Sequence, residues 1–186
     1  MSNWRPNTNA PKVPAAVLRK GAIPAALLAA LTGPLAWTTL ERWEGNILRV
    51  YADNLAGGIP TYCAGRTDWK APVGTRLTSD ECREVNKTTL LEYGYAVLGC
   101  TEWNHLTPDR LVALTIFTIN VGKAAACGSR AFRLINDGQY AAGCDALARS
   151  PSGAPVWSYA DGKYVQGLQN RRQAERAICL GKVQLS

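Results

Sequence analysis

Residues 39–67 read TLERWEGNILRVYADNLAGGIPTYCAGRT, and the fold is decided in this stretch. Thr38-x-x-Glu41 has the pattern of a capping box and predicts a helix start at Thr38. Leu40, Trp43 and Glu44 then share one helical face. Gly45 is suited to cap the C-terminus, which places Glu44 at the end of that helix. Beyond it, Leu48, Val50 and Ala52 alternate with Arg49, Tyr51 and Asp53, as in a half-buried strand. The turn 54–60, with Gly57-Gly58, returns the chain to a second strand around 61–65.

Downstream the signals are mostly helical. Thr78-Ser79-Asp80-Glu81 is a second capping box and opens a helix to about Leu98. Thr107 followed by Pro108 predicts an N-cap with proline at the first helical position. The run Leu111–Phe117 is apolar on nearly every side, so this helix belongs at the centre of a core, and Gly122 ends it. Shorter helices are expected over 129–136 and 139–149. A loop follows at SPSGAP (150–155), and a last helix over 168–180. The expectation is an α+β fold, with a small β-hairpin lobe and a mostly helical lobe around a central buried helix.

Upstream, residues 1–20 hold Arg5, Lys12, Arg19 and Lys20 and no acid, and composition reads them as a disordered basic tail. Four of the seven net positive charges lie there, so the rest of the chain is only weakly basic. That balance suits an anionic polymer, cell wall or nucleic acid, without choosing between them. Residues 21–40, GAIPAALLAALTGPLAWTTL, carry no charge over a length that spans a bilayer. Their Ala, Gly, Thr and Pro content makes insertion marginal. A cleaved signal peptide, a permanent anchor and a buried core helix are open readings beside a weak, releasable anchor, which the composition favours. The domain expectation is therefore a tail (1–20), a weakly hydrophobic segment (21–40) and a catalytic domain (41–186).

The six cysteines, at 63, 82, 100, 127, 144 and 179, are widely spaced and without Cys-x-x-Cys. Beside an export-like start they read as three disulfides formed in an oxidising compartment, reduced cysteines being the alternative. His105, the only histidine, has no second ligand near it, so no metal centre is expected, and no phosphate-binding loop occurs.

Glu44 and Asp53 differ in surroundings. A carboxyl on the apolar side of a helix end is poorly solvated and keeps a proton, whereas Asp53 at the lip of a glycine turn ionises readily. Two such acids a short, ordered distance apart suit hydrolysis of a glycosidic bond. A surface acid and a turn former are the plain alternative.

The order of motifs extends this reading. Glu44-x8-Asp53 is followed by Pro60-Thr61-x-Cys63-x-Gly65-x-Thr67, Asp80-Glu81-Cys82, Asn120-Val121-Gly122, Cys127-Gly128-Ser129 and Trp157. Gly162-Lys163, Gly167-Leu168-x-x-Arg171-Arg172-x-x-Glu175 and Cys179 complete it. This order resembles the phage-type lysozymes of glycoside hydrolase family 24, and within them the signal-arrest-release endolysins of phages infecting Gram-negative hosts. The resemblance implies a lysozyme-like fold and hydrolysis of the N-acetylmuramic acid to N-acetylglucosamine bond of peptidoglycan. Glu44 matches the general acid, Asp53 the carboxylate that stabilises positive charge and helps activate water, and Thr61 the threonine that positions that water. The Asp53–Thr61 spacing is two residues longer than usual, and Arg66 stands at the usual histidine, where it helps shape the cleft.

Chain order and the resemblance together imply disulfides Cys63–Cys82, Cys100–Cys127 and Cys144–Cys179. They imply a monomer needing no cofactor and no nucleic acid. Its partners are peptidoglycan and, through residues 21–40, the bacterial inner membrane facing the periplasm, with release into the periplasm. No cysteine precedes Cys63, so an anchor cysteine that blocks the site is excluded as the control. Arg171-Arg172 are read as wall-carboxylate binders or as ion-pair partners of Glu175, and Trp157 and Tyr159 as core or cleft residues. The rival functions are a lytic transglycosylase and a membrane-tethered wall-binding protein without activity.

Overall fold

The structure, a computed structural model, describes residues 5–54 and 57–183. The elements are α1 (Ala15–Leu18), α2 (Ala25–Thr32), α3 (Pro34–Glu44), β1 (Ile47–Asp53), β2 (Ile59–Cys63), α4 (Ser79–Cys100) and α5 (Pro108–Val121). They continue as α6 (Lys123–Cys127), α7 (Arg130–Asn136), α8 (Tyr140–Asp145), β3 (Tyr159–Ala160), β4 (Lys163–Tyr164) and α9 (Gln166–Cys179). The α+β expectation holds: an antiparallel β1–β2 hairpin stands beside a mostly helical lobe.

The helical lobe is built around α5, in which every residue from Leu111 to Thr118 is buried. Thr107 caps α5 by accepting from the Arg110 N–H, and Pro108 sits where a missing N–H costs nothing. Helices α2, α3, α4 and α9 pack around it. The hairpin lobe has its own small core of Val50, Tyr62, Trp69, Ala71 and Leu77, to which α4 adds Cys82 and Val85. Tyr62 and Trp69 meet edge to face at 5.2 Å. Helix α4 opens with the reciprocal Thr78–Glu81 box and so connects the two lobes from a fixed start.

Two local expectations fail for physical reasons. The Thr38–Glu41 box does not form: α3 starts at Pro34, whose fixed φ suits a first turn, and Gly33 is its N-cap. The Thr38 hydroxyl donates instead to the Pro34 carbonyl, inside the helix. On β1 only Val50 is fully buried, so the alternation is incomplete. Within β1 the chain is covered at that point alone, where the Val50 backbone bonds to Gly74 and Thr75 of the following loop.

The uncharged stretch 21–40 forms α2 and most of α3, broken at Gly33-Pro34, and its Leu27, Leu31, Ala36 and Leu40 join the main core. In this conformation it is a pair of helices with one face buried against the core. Among the described residues no helix is long and apolar enough to cross a membrane. Gly94 lets α2 approach α4, since a Cβ there would lie 2.4 Å from Leu31 Cδ2.

Residues 5–20 of the tail touch the body at a few points and are otherwise mostly exposed. Val17 on α1 is fully buried, and Arg5 pairs with Glu81 at 2.7 Å. The Lys20 ammonium donates to the Leu98 and Thr101 carbonyls at the end of α4, at 3.3 and 3.1 Å, where a cation complements the helix dipole. All three expected disulfides form, with Cα separations of 5.3, 5.9 and 5.5 Å in chain order.

Candidate active site

Glu44 is the last residue of α3. Gly45 follows at φ 74°, a left-handed conformation that glycine adopts without strain, and its N–H closes the helix on the Glu41 carbonyl. The chain therefore turns away at once and leaves the Glu44 side chain at the rim of a cleft of about 490 Å³. The loop after β2 supplies Gly65, Arg66 and Asp68 to this cleft, and α4 supplies Glu92 and Tyr93. The Glu44 side chain is 23 % exposed.

Helix α9 reaches Glu44 from the other end of the chain. Arg171 Nη2 lies 2.7 Å from Glu44 Oε1. The contact is one of charge without a directed hydrogen bond, and Nη2 also donates to the Ile116 carbonyl at 3.2 Å. Arg171 Nε donates to Glu175 Oε1 at 3.1 Å, and Arg172 Nη2 donates to the same oxygen at 2.7 Å. The Arg172 guanidinium also lies over the Phe117 ring at 5.1 Å. Two guanidiniums thus face two carboxyl groups in a largely buried cluster, which offsets the cost of a lone buried ion. Burial pushes the Glu175 carboxyl up to about 7 against the pull of both arginines.

A second network lines the cleft wall. Arg66 bonds Asp68 through two nitrogens and reaches Glu92 on α4 at 3.0 Å. Glu92 is shared with Lys123 at 2.6 Å, and the Lys123 ammonium lies over Tyr93. Burial opposes the charge of Asp68, but Arg66 and the Tyr62 hydroxyl outweigh it and hold the carboxyl below its ordinary value. Burial likewise opposes the charge of Glu92, and Lys123 and Arg66 outweigh it. Tyr62 is pushed up by burial and by its bond to Asp68. Arg66 therefore pins the loop after β2 to α4 across the cleft.

Of the three residues expected at the site, the structure places Glu44 in this cleft, while neither Asp53 nor Thr61 lines it. Asp53 ends β1, paired with Ile59, and burial together with the Asp53 charge raises the Tyr51 hydroxyl above its ordinary value. Thr61 lies on β2 opposite Tyr51, nearly fully buried, with its hydroxyl donating to the Ile59 carbonyl at 3.0 Å. Residues 55 and 56 of the expected turn lie outside the described residues. Arg66 does shape the cleft. Arg171 and Arg172 are ion-pair partners of Glu175, with Glu44 added. Asp68 and Glu92 were missed, since nothing in their local sequence distinguishes them from surface acids.

Comparison with known proteins agrees with this architecture. The phage lysozyme family model matches residues 41–175. The SAR-endolysin of Pseudomonas phage phiKMV is 33 % identical over 160 residues, covering 84 % of this chain and 89 % of that protein. The SAR-endolysin of Enterobacteria phage PA-2 is 31 % identical over 169 residues, covering 91 % and 94 % respectively. The solved endolysin of Escherichia coli O157:H7 phage FAHEc1 superposes with a TM-score of 0.69 at 25 % identity, over 83 % of this chain and 96 % of that one. The acid at the end of α3, the hairpin beyond it and the helical lobe that meets them fall within the matched region, and the chain belongs to the phage lysozyme family.

Proposed function

We propose that this chain is an endolysin that acts as a monomer. It hydrolyses the β-1,4 bond from N-acetylmuramic acid to N-acetylglucosamine in peptidoglycan, and residues 21–40 hold it inactive at the inner membrane until release. The observation that carries the reading is Glu44 itself, a carboxyl at a helix end in a cleft, held in place by Arg171 from α9.

In this reading Glu44 protonates the glycosidic oxygen as the bond breaks. Asp53, at the end of β1, offsets the positive charge that develops on the sugar and helps activate water. The single proton of the Thr61 hydroxyl is committed to Ile59, so toward a water Thr61 is an acceptor, the role that orients a nucleophile. Cleavage is inverting, which requires the carboxyls to stand about 6.5–9.5 Å apart to admit that water.

The anchor reading is supported by the SAR-endolysin names of the relatives and by the course of α3. This helix holds the last seven residues of the uncharged stretch, and Glu44 follows four residues later, about 6 Å along the axis. While 21–40 lies in a bilayer, Glu44 is kept at the membrane surface and α3 is kept out of its place against α5.

Substituting Glu44→Gln keeps the shape and removes the proton donor. Lysis of outer-membrane-permeabilised Gram-negative cells is expected to fall about 10²–10⁴-fold while the protein stays folded. An unchanged lysis rate refutes the assignment.

A further inference from the structure

Between the SPSGAP loop and α9 the chain forms a hairpin that the site described above does not use. Strands β3 and β4 are joined by Asp161-Gly162, at φ 49° and 74°, the two-residue turn whose twist suits paired strands. Tyr159 and Tyr164 stand directly opposite each other with their rings edge to face at 5.8 Å. They nevertheless remain 51 % and 46 % exposed, and Trp157 beside them is 38 % exposed. A hairpin of two residues per strand has little stability of its own, and grouped exposed apolar side chains mark binding surfaces.

The hairpin is fixed to the catalytic side of the fold. Ser158 is buried, with its hydroxyl bonded to Gln169 on α9 at 2.6 Å. Trp157 is held at φ 57°, a conformation that is strained for a bulky side chain and is found where geometry is functionally constrained. Its ring meets Phe117 edge-on at 5.4 Å. Phe117 also lies under Arg172, and the carbonyl of the preceding residue, Ile116, accepts from Arg171. From the start of α9 at Gln166 to Arg171 is about 8 Å along the axis. Through Phe117 and α9 the aromatic ridge is therefore linked to the elements that hold the Glu44–Arg171 pair.

We infer that Trp157, Tyr159 and Tyr164 form a saccharide platform that grips the glycan strand beyond the bond being cut. The inference rests on the muramidase reading above. A β-1,4-linked amino-sugar strand carries its polar substituents around the ring edges and leaves C–H faces that match the electron-rich faces of aromatic rings. A membrane interface also accepts tyrosine and tryptophan, but the attachment of the ridge to Phe117 and α9 favours the glycan.

The test uses the full chain carrying Glu44→Gln, so that substrate is bound and not consumed. The probes are glycan strands freed of stem peptides and, separately, anionic phospholipid vesicles. Adding Tyr159→Ser and Tyr164→Ser together is expected to weaken glycan binding about five- to tenfold with Tm unchanged, as suits the loss of two ring contacts. With Glu44 intact, the same pair should lower kcat/KM on long strands by that factor and leave kcat unchanged. Each single variant repeats the test should the double variant fail to fold. Equal glycan binding with and without the tyrosines overturns the inference, as does a loss confined to vesicles. If the wild-type chain releases no reducing ends from peptidoglycan, the muramidase reading fails instead, and the binding arm still decides the platform.

Discussion

At the scale of the residue, the site is organised by arginines that each serve two carboxylates. Arg171 holds Glu44 and Glu175, and Arg66 holds Asp68 and Glu92. The second set, together with Glu81 of the α4 capping box, gives the protein a defined acid sensitivity. Asp68, Glu81 and Glu92 lie below their ordinary values of 3.8, 4.5 and 4.5, so the unfolded chain binds more protons than the folded one as pH falls. Their stabilisation is complete above about pH 4.5 and is lost as pH drops through the lowered values. Glu175 acts in the opposite sense: its contribution is complete below its ordinary 4.5 and is lost as pH rises through about 7. Tm is therefore expected to be highest between these limits. Arg66→Gln, which removes one partner of Asp68 and one partner of Glu92, is expected to make the acid side shallower and leave the neutral side in place. Thermal melts over a pH series decide this, and an acid side as steep as that of the parent contradicts it.

At the scale of the element, the joint between α2 and α4 has no spare room. A Cβ on Gly94 would lie 2.4 Å and 2.6 Å from the two Leu31 methyls, inside a closed core. Gly94→Ala is expected to cost about 1–3 kcal/mol by overpacking. Leu31→Ala alone costs about 2–5 kcal/mol through the cavity it leaves. Combined, the two should cost less than their sum, because each relieves the other. Denaturant melts of the four proteins measure the coupling, and strict additivity contradicts this packing. Elements with local signals were legible in the sequence: the Thr78 box, Pro108 in the first turn of α5, and Gly45 behind Glu44. The start of α3 was misread because Thr38-x-x-Glu41 matches a box by pattern, while Gly33-Pro34 sets the actual first turn. The β3–β4 hairpin was missed despite its Asp-Gly turn, since strands of two residues are too short to show alternation. For the site, Glu44 and the Arg171–Glu175 spacing were readable, whereas the approach of Arg171 to Glu44 arises only from the packing of α9 on α5.

At the scale of the whole molecule, one uncharged stretch serves two environments in the proposed account. Its content of small residues makes it a weak bilayer span and equally a close-packing pair of core helices, as α2 against α4 shows. In that account the tail charges Arg5, Lys12, Arg19 and Lys20 are proposed as the latch. Each costs about 2.3 kcal/mol per 100 mV to move outward against an inside-negative potential. An uncoupler is expected to shift full-length protein from the membrane fraction to the periplasm and to trigger lysis, and release that ignores the potential contradicts the latch. In the same account the burial of Val17 and the capping of α4 by Lys20 would hold the tail on the body after release. The central claim is that Glu44 drives a hydrolytic cut, and the products report on it directly. Purified peptidoglycan digested in ¹⁸O-labelled water and examined by mass spectrometry is predicted to give reducing N-acetylmuramic acid ends that carry the label, and none with Glu44→Gln. Unlabelled 1,6-anhydro ends from the wild-type chain would contradict the account.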